Sequence, residues 1–255
     1  MRETSDRTAA LPRHDNVTRL QVAVEIACIA AAAALLLTHL VRLARAPELL
    51  RWWTPVFALT GALMADFGSG LIHWVADTWG SEGMPVLGRR FLRPFRVHHL
   101  NPDDFLRREF ADTNGDVSMV LLPCLAAALA IPFDRGWGHA LTTLVVTLCA
   151  VGLPTNQVHQ WAHRPDPPRW VRRLQDLGII LSREEHRRHH IPPYVQNYCI
   201  ATGWCNGVLR RVHFFRRMER LVTRLTGLRP RDDDSAFQGK LESWLGEPIG
   251  RKRAT

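Results

Sequence analysis

Apolar residues along this chain are bunched rather than spread. Residues 20–43 form an Ala/Leu/Val/Ile stretch interrupted mainly by Glu25, Thr38, His39 and Arg42, and residues 52–75 form a second. Two more, 117–133 and 137–154, flank Asp134-Arg135-Gly136, which predicts a tight turn between antiparallel helices. About 20 apolar residues in a helix cross the hydrocarbon layer of a bilayer. The first two stretches reach that length, and the last two lie near its lower limit, where the alternative is a buried helical hairpin. The pattern predicts an all-α fold: an integral-membrane, four-helix transmembrane bundle with a cytoplasmic helical cap. The membrane domain then covers 20–228, between polar tails at 1–19 and 229–255, the latter with Asp232-Asp233-Asp234 and Arg251-Lys252-Arg253 in solvent.

Charge sets the orientation. The net charge of +9 comes from arginines that flank apolar stretches rather than form a basic domain with interleaved aromatics, so the partner they suit is membrane and not nucleic acid. The segment 77–116 carries Arg89, Arg90, Arg93, Arg96, Arg107 and Arg108, the turn after Phe133 carries Arg135, and the chain beyond Pro154 is arginine-rich throughout. By the positive-inside rule both long polar segments are cytoplasmic, with Arg42, Arg45 and Arg51 in the first loop as the opposing signal. Lys240 and Lys252 are the only lysines, a usage that points to a GC-rich bacterial genome and hence to a bacterial inner membrane. The first apolar run is longer than a signal-peptide core, which predicts a retained anchor. Along 208–225, Val208, Val212, Phe215, Met218, Val222 and Leu225 recur at helical spacing among arginines, as in a helix lying on the bilayer or packed on the domain. The five cysteines include no CxxC, and Cys28, Cys124 and Cys149 fall in predicted spans, so they read as packing residues.

The chemistry lies in the histidines. Eight of twelve form four groups: His73, His98-His99, His159-xxx-His163 and His186-xx-His189-His190. Spacings of three and four aim imidazoles along one helix face, and eight are too many for one ion, so two metal ions are expected. In the predicted topology all eight gather on the cytoplasmic face, where a lipid tail lies below them and soluble partners approach from above. Asp66 and Asp77 share a helix face with His73, and either could orient an imidazole, with Asp77 also a candidate ligand. His14, Glu25, His39, His139 and His213 belong to no group and read as structural. Imidazoles alone do not name the metal. A redox pair such as iron suits attack on an unactivated C–H bond, whereas zinc would activate water and want a carboxylate base, for which Glu184 and Glu185 are the close candidates.

The stretches HWVADTWG (73–80), RPFRVHH (93–99), FADTNGD (110–116), TNQVHQWAH (155–163), PRWVRRLQD (168–176) and EEHRRHHIPP (184–193), with TGWCN (202–206) downstream, closely resemble the plasmanylethanolamine desaturase family. This lipid desaturase group, also called Kua, includes a bacterial light-response branch and a plant branch that places a trans double bond in phosphatidylglycerol acyl chains. The resemblance covers about 52–230 with the motifs in order. It implies an O2-dependent, di-iron enzyme that converts the alkyl ether of an ethanolamine phospholipid into the vinyl ether of a plasmalogen. It also implies His73, His98, His99, His159, His163, His186, His189 and His190 as ligands, and Arg93, Arg96, Arg107 and Arg108 are candidate phosphate contacts. A fatty-acyl desaturase or a hydroxylase on the same centre is the neighbouring possibility, as is a non-enzymatic metal-binding membrane protein. Asn101 departs from the ethanolamine-lipid branch, which has aspartate there. The chain has no GxGxxG and no CxxCH, so electrons come from a separate carrier of cytochrome b5 or ferredoxin type. His163→Ala is expected to abolish turnover while the protein still inserts in membrane, and His139→Ala to leave turnover near normal. Comparable losses in the two variants, assayed on the same lipid, would show the grouping to be wrong.

Overall fold

A computed structural model describes residues 13–191 and 194–231, and among these every regular element is helical. The Asp232-Asp233-Asp234 and Arg251-Lys252-Arg253 clusters lie outside the described residues. Helix α1 spans Arg19–Ala44 and starts at a capping box: Gln21 N donates to Thr18 Oγ1 at 3.2 Å, and Thr18 N donates to Gln21 Oε1 at 2.7 Å. Helix α2 (Thr54–Thr78) has Pro55 in its first turn, where no backbone donor is needed. A π-helical turn, Gly88–Leu92, leads into α3 (Arg93–Leu100), followed by α4 (Pro102–Phe105), α5 (Phe110–Ala128) and α6 (Gly136–Gly152). Short helices α7 (Thr155–His163), α8 (Arg169–Asp176) and α9 (Arg183–His189) follow, then α10 (Asn206–Arg211) and α11 (Phe214–Thr226).

Among the described residues three helical rods are long and apolar enough to cross a membrane: Arg19–Ala44, Thr54–Thr78 and the combined Gly136–His163. The expected stretch at 117–133 is instead the apolar part of α5, which starts at Phe110, carries Asp112, Asn114 and Asp116 in its first turns, and stops at Ala128 ahead of Pro132. Its polar start is tied down by Arg108, whose guanidinium donates to both Asp112 carboxylate oxygens at 2.5 and 2.6 Å. Helix α1 packs on α5 and α2 on α6, while α6 also touches α1 and α5. Ala32, Leu125 and Cys149 meet where α1, α5 and α6 join. Val24, Leu37, Val56, Leu59, Ile72 and Val120 remain exposed, an apolar perimeter suited to lipid and costly in water. The protein is a membrane protein by these rods.

The predicted helix 208–225 is broken. His213 adopts a left-handed backbone (φ 51°), so α10 ends and α11 turns back to bury Phe215 against Trp74 and Tyr198. The helix is thus docked on the domain through one face, with Leu221 and Leu225 exposed on the other.

Small residues permit the tight helix pairing, as in membrane bundles generally. A Cβ on Gly61 of α2 would lie 2.3 Å from Leu144 O of α6, and one on Gly207 of α10 would meet nothing within 4 Å. Gly61→Ala is expected to lower the detergent-solubilised melting temperature by the equivalent of ~1–3 kcal/mol of overpacking. Gly207→Ala, the same chemical change in an open helix, should be neutral or slightly stabilising. Equal melting temperatures for the two variants would contradict this packing.

Candidate metal centre

Helices α2, α3, α7 and α9 end at one level and bring eight histidines together, all buried. They sort into two groups. His98, His159, His163, His186 and His190 form the first, and His73, Asp77, His99 and His189 the second, each with donor atoms within 4.8 Å of one another. In the first, Nε2–Nε2 separations are 3.0 Å for His98–His163, 3.1 Å for His98–His190, 2.9 Å for His159–His186, 2.6 Å for His163–His186 and 3.0 Å for His186–His190. In the second, Asp77 Oδ2 lies 3.1 Å from His99 Nε2 and 3.3 Å from Nε2 of both His73 and His189. His99 and His189 are 3.2 Å apart.

These distances identify what the groups can hold. Two nitrogens at ~2.1 Å from one ion and about a right angle apart are separated by roughly 3 Å, the spacing seen here. Neutral imidazoles offer one N–H each, so five Nε2 atoms facing inward cannot all be paired by hydrogen bonds with one another. A cation satisfies every lone pair at once. Burial pushes the His98, His186 and His190 pKa well below the ordinary value and lowers that of His189, which keeps these rings in the neutral, ligating form. Successive residues on a helix diverge by about 100°. Thus His98 faces the first group and His99 the second, and His190 and His189 divide likewise.

Two of the outer ring nitrogens, both in the second group, are fixed by one loop. With Nε2 turned inward, His73 Nδ1 donates to Tyr198 O at 3.2 Å and His189 Nδ1 to Gln196 O at 2.9 Å, which sets tautomer and ring angle together. Asn206 clamps this loop through Cys199 N (3.0 Å) and Cys199 O (2.9 Å). Asp66 accepts from Thr202 N, Gly203 N and Cys205 N at 2.8, 2.8 and 2.9 Å. Asp66 therefore acts on the loop, and through it on the carbonyls that hold His73 and His189, rather than on an imidazole directly. Tyr194 and Asn197 hold left-handed backbones (φ 58° and 59°) beside the centre, strain that the clamp sustains. Tyr198, Asn197 and Asn206 escaped the sequence reading, although TGWCN marked the place.

The other candidates divide clearly. Glu184 pairs with Arg187 and Arg188, Glu185 is held by Asn197 and Arg188, and neither carboxylate belongs to either group of inward-facing donors. Arg96 is buried and donates to Gly80 O at 2.6 Å, which removes it from phosphate contact. Arg107 is engaged by Asp104, Arg108 by Asp112, and Arg93 by Glu82 at 2.8 Å. His39 donates to Leu125 O, His139 lies against Phe133, His14 binds Asp104 and His213 makes the break before α11, all outside both groups.

A largely apolar cavity of about 510 Å³ reaches the first group. Met64 and Ile72 of α2 and Val117, Val120 and Leu121 of α5 line its apolar length, and His98 and His159 its end. Asp77→Ala removes one of the four donors of the second group, so the purified variant is expected to retain about half the metal of the wild type by elemental analysis. Full retention would take Asp77 out of the ligand set.

The lipid desaturase domain family matches residues 62–233. The chain is 43% identical to plasmanylethanolamine desaturase of Myxococcus xanthus, over 83% of this chain and 75% of that protein. Plasmanylethanolamine desaturase 1 of Mus musculus is also 43% identical, over 81% and 78% of the two chains. Fatty acid desaturase 4, chloroplastic, of Arabidopsis thaliana is 34% identical over 67% of this chain and 52% of its own. No solved structure matches. Two buried imidazole groups, the first of them reached by an apolar cavity, together with these matches, make the chain a membrane oxidoreductase that belongs to the lipid desaturase family.

Proposed function

We propose that the protein desaturates the alkyl ether chain of an ethanolamine phospholipid to the vinyl ether of a plasmalogen. The observation that carries this reading is the apolar cavity that ends on His98 and His159, because it brings a hydrocarbon chain to the metal-binding imidazoles. The two groups, His98/His159/His163/His186/His190 and His73/Asp77/His99/His189, would each hold one iron ion. Iron there supplies the oxidising power for removing hydrogen from an unactivated carbon, which no side chain provides. In balance, the substrate loses two hydrogens to form one C=C bond. O2 takes these, plus two electrons and two protons from a separate cytochrome b5 or ferredoxin type donor, and leaves as two waters.

The protein's own part is positioning and exclusion of water. Phe95 packs 5.1 Å from His73, and Phe105 lies 5.3 and 5.1 Å from His98 and His159 by ring centroids, so aromatic walls shield the imidazoles. The Tyr198 and Gln196 carbonyls hold His73 and His189 in one orientation through turnover. In this reading the apolar part of α5 enters the bilayer as a fourth, shorter element, and the centre faces the cytoplasm at a bacterial inner membrane. In the same reading the membrane domain covers 20–228, and the described helices run from Arg19 to Thr226. A second reading, an acyl-chain desaturase or hydroxylase on the same centre, is favoured by the similarity to fatty acid desaturase 4 and by Asn101 at the α3–α4 junction.

Lipid mass spectrometry on a plasmalogen-free bacterial host that expresses the chain and is fed 1-O-alkylglycerol tests the proposal. Loss of two hydrogens giving an acid-labile vinyl ether, absent in His163→Ala, is the expected result. Unchanged ether lipids beside a new acyl-chain double bond or hydroxyl group would transfer the assignment to the second reading.

A further inference from the structure

A second, polar cleft of about 270 Å³ opens beside the apolar cavity. The two share His14, Arg90, Pro94, Arg108 and Asp116 in their walls, so together they form one amphipathic groove. We infer that this cleft is a headgroup site that reads a phosphodiester bearing a primary ammonium, an inference that rests on the lipid desaturase reading above.

Arg90 is the proposed phosphate contact. It borders both cavities and is anchored through a single nitrogen: Nη2 donates to Glu25 Oε1 at 3.2 Å and to Asp116 Oδ1 at 2.6 Å. Its Nε and Nη1 make no hydrogen bond among the described residues, leaving two guanidinium nitrogens whose N–H groups can donate to phosphate oxygens. Glu25 is 1% exposed and lies so close to Gly115 that a Cβ there would sit 2.3 Å from its Cγ. The anchor is therefore rigid, and the buried carboxylate in α1 acquires a purpose that its sequence position did not suggest. Arg89, far more exposed, reaches the same cleft and pairs with Asp15 at 3.0 Å.

Asp15 and Asp116 supply the ammonium contact. Both are partly exposed carboxylates in the cleft wall, able to accept N–H bonds from a primary ammonium. Among the described residues no Phe, Tyr or Trp lines the cleft, so a trimethylammonium group would find no aromatic faces there and could donate no hydrogen bond. The polar segment before α1 completes the wall. Arg93 Nη2 donates to Arg13 O at 3.1 Å, and His14 backbone N donates to Asp104 Oδ2 at 2.6 Å, which lays this segment across the mouth. A headgroup held here sets how far its chain reaches toward His98 and His159.

Native mass spectrometry of the full, metal-loaded protein in detergent tests this without relying on turnover. Ethanolamine and choline phospholipids with identical chains are added in equal amounts. The wild type should retain the ethanolamine lipid several-fold better, and Asp15→Asn should bring the two close to equal. Arg90→Lys keeps the charge facing Glu25 but loses the additional N–H donors, and should weaken retention of both lipids about tenfold, as for one lost charge-assisted hydrogen bond. Equal retention by the wild type, or an Arg90→Lys protein that binds as the wild type does, would overturn the headgroup site even if ether lipids are desaturated. Selective retention without desaturated product would instead sink the proposed activity and leave the site standing.

Discussion

Lone pairs do not face one another inside a protein unless something positive lies between them. Eight buried imidazoles and the Asp77 carboxylate turn their donor atoms inward at separations near 3 Å, while they come from four separate segments of the sequence. Without a cation this arrangement would bury lone pairs with too few protons to share, each at a cost of about 1–3 kcal/mol. With cations the same contacts become the strongest cross-links in the molecule. The rest of the cap follows from this constraint. Helix ends must stop at one level, rings must hold one tautomer, and the loop after α9 must turn tightly enough to present two carbonyls to His73 and His189.

That loop connects the membrane domain to the chemistry. Asp66 lies within α2, at a depth where an unpaired carboxylate would be costly, and it accepts three backbone N–H bonds from the loop. Ser69, one turn along, accepts a fourth from Ile200 at 3.0 Å, and Gly70 lets Cys199 approach so closely that a Cβ would be 2.5 Å from its sulfur. One face of α2 therefore carries the loop clamp, then His73, then Asp77. The opposite requirement, access for a lipid chain, is met on the side of α2 that looks toward α5, where Gly68 and Ser69 leave room beside Met64 and Ile72.

The sequence revealed the chemistry more completely than the architecture. Histidine spacings of three and four survive in any helix, and adjacent histidines must diverge by about 100°, so doublets that divide between two groups of donors could be read from the chain. Asp77 was legible for the same reason, as the i+4 neighbour of His73. What could not be read was everything set by long-range contact. Asp66 was separated from the loop it clamps by more than a hundred residues, and Arg90 looked like any other basic residue until Glu25 and Asp116 were seen to hold it. Hydropathy misplaced α5 because its polar first turns belong to the cap and its apolar remainder to the bundle, a division that no single window reports. The break at His213 was hidden for a related reason, since Phe215 is drawn back by Trp74 and Tyr198 and not by its own neighbours.

The claim on which the account depends is that the inward-facing donors are metal ligands. X-ray absorption at the metal edge of the purified, metal-loaded protein tests it directly. The account predicts a shell of nitrogen and oxygen donors at ~2.1 Å with strong outer scattering from imidazole rings. A shell with sulfur at ~2.3 Å, or one of water oxygens without imidazole scattering, would contradict it.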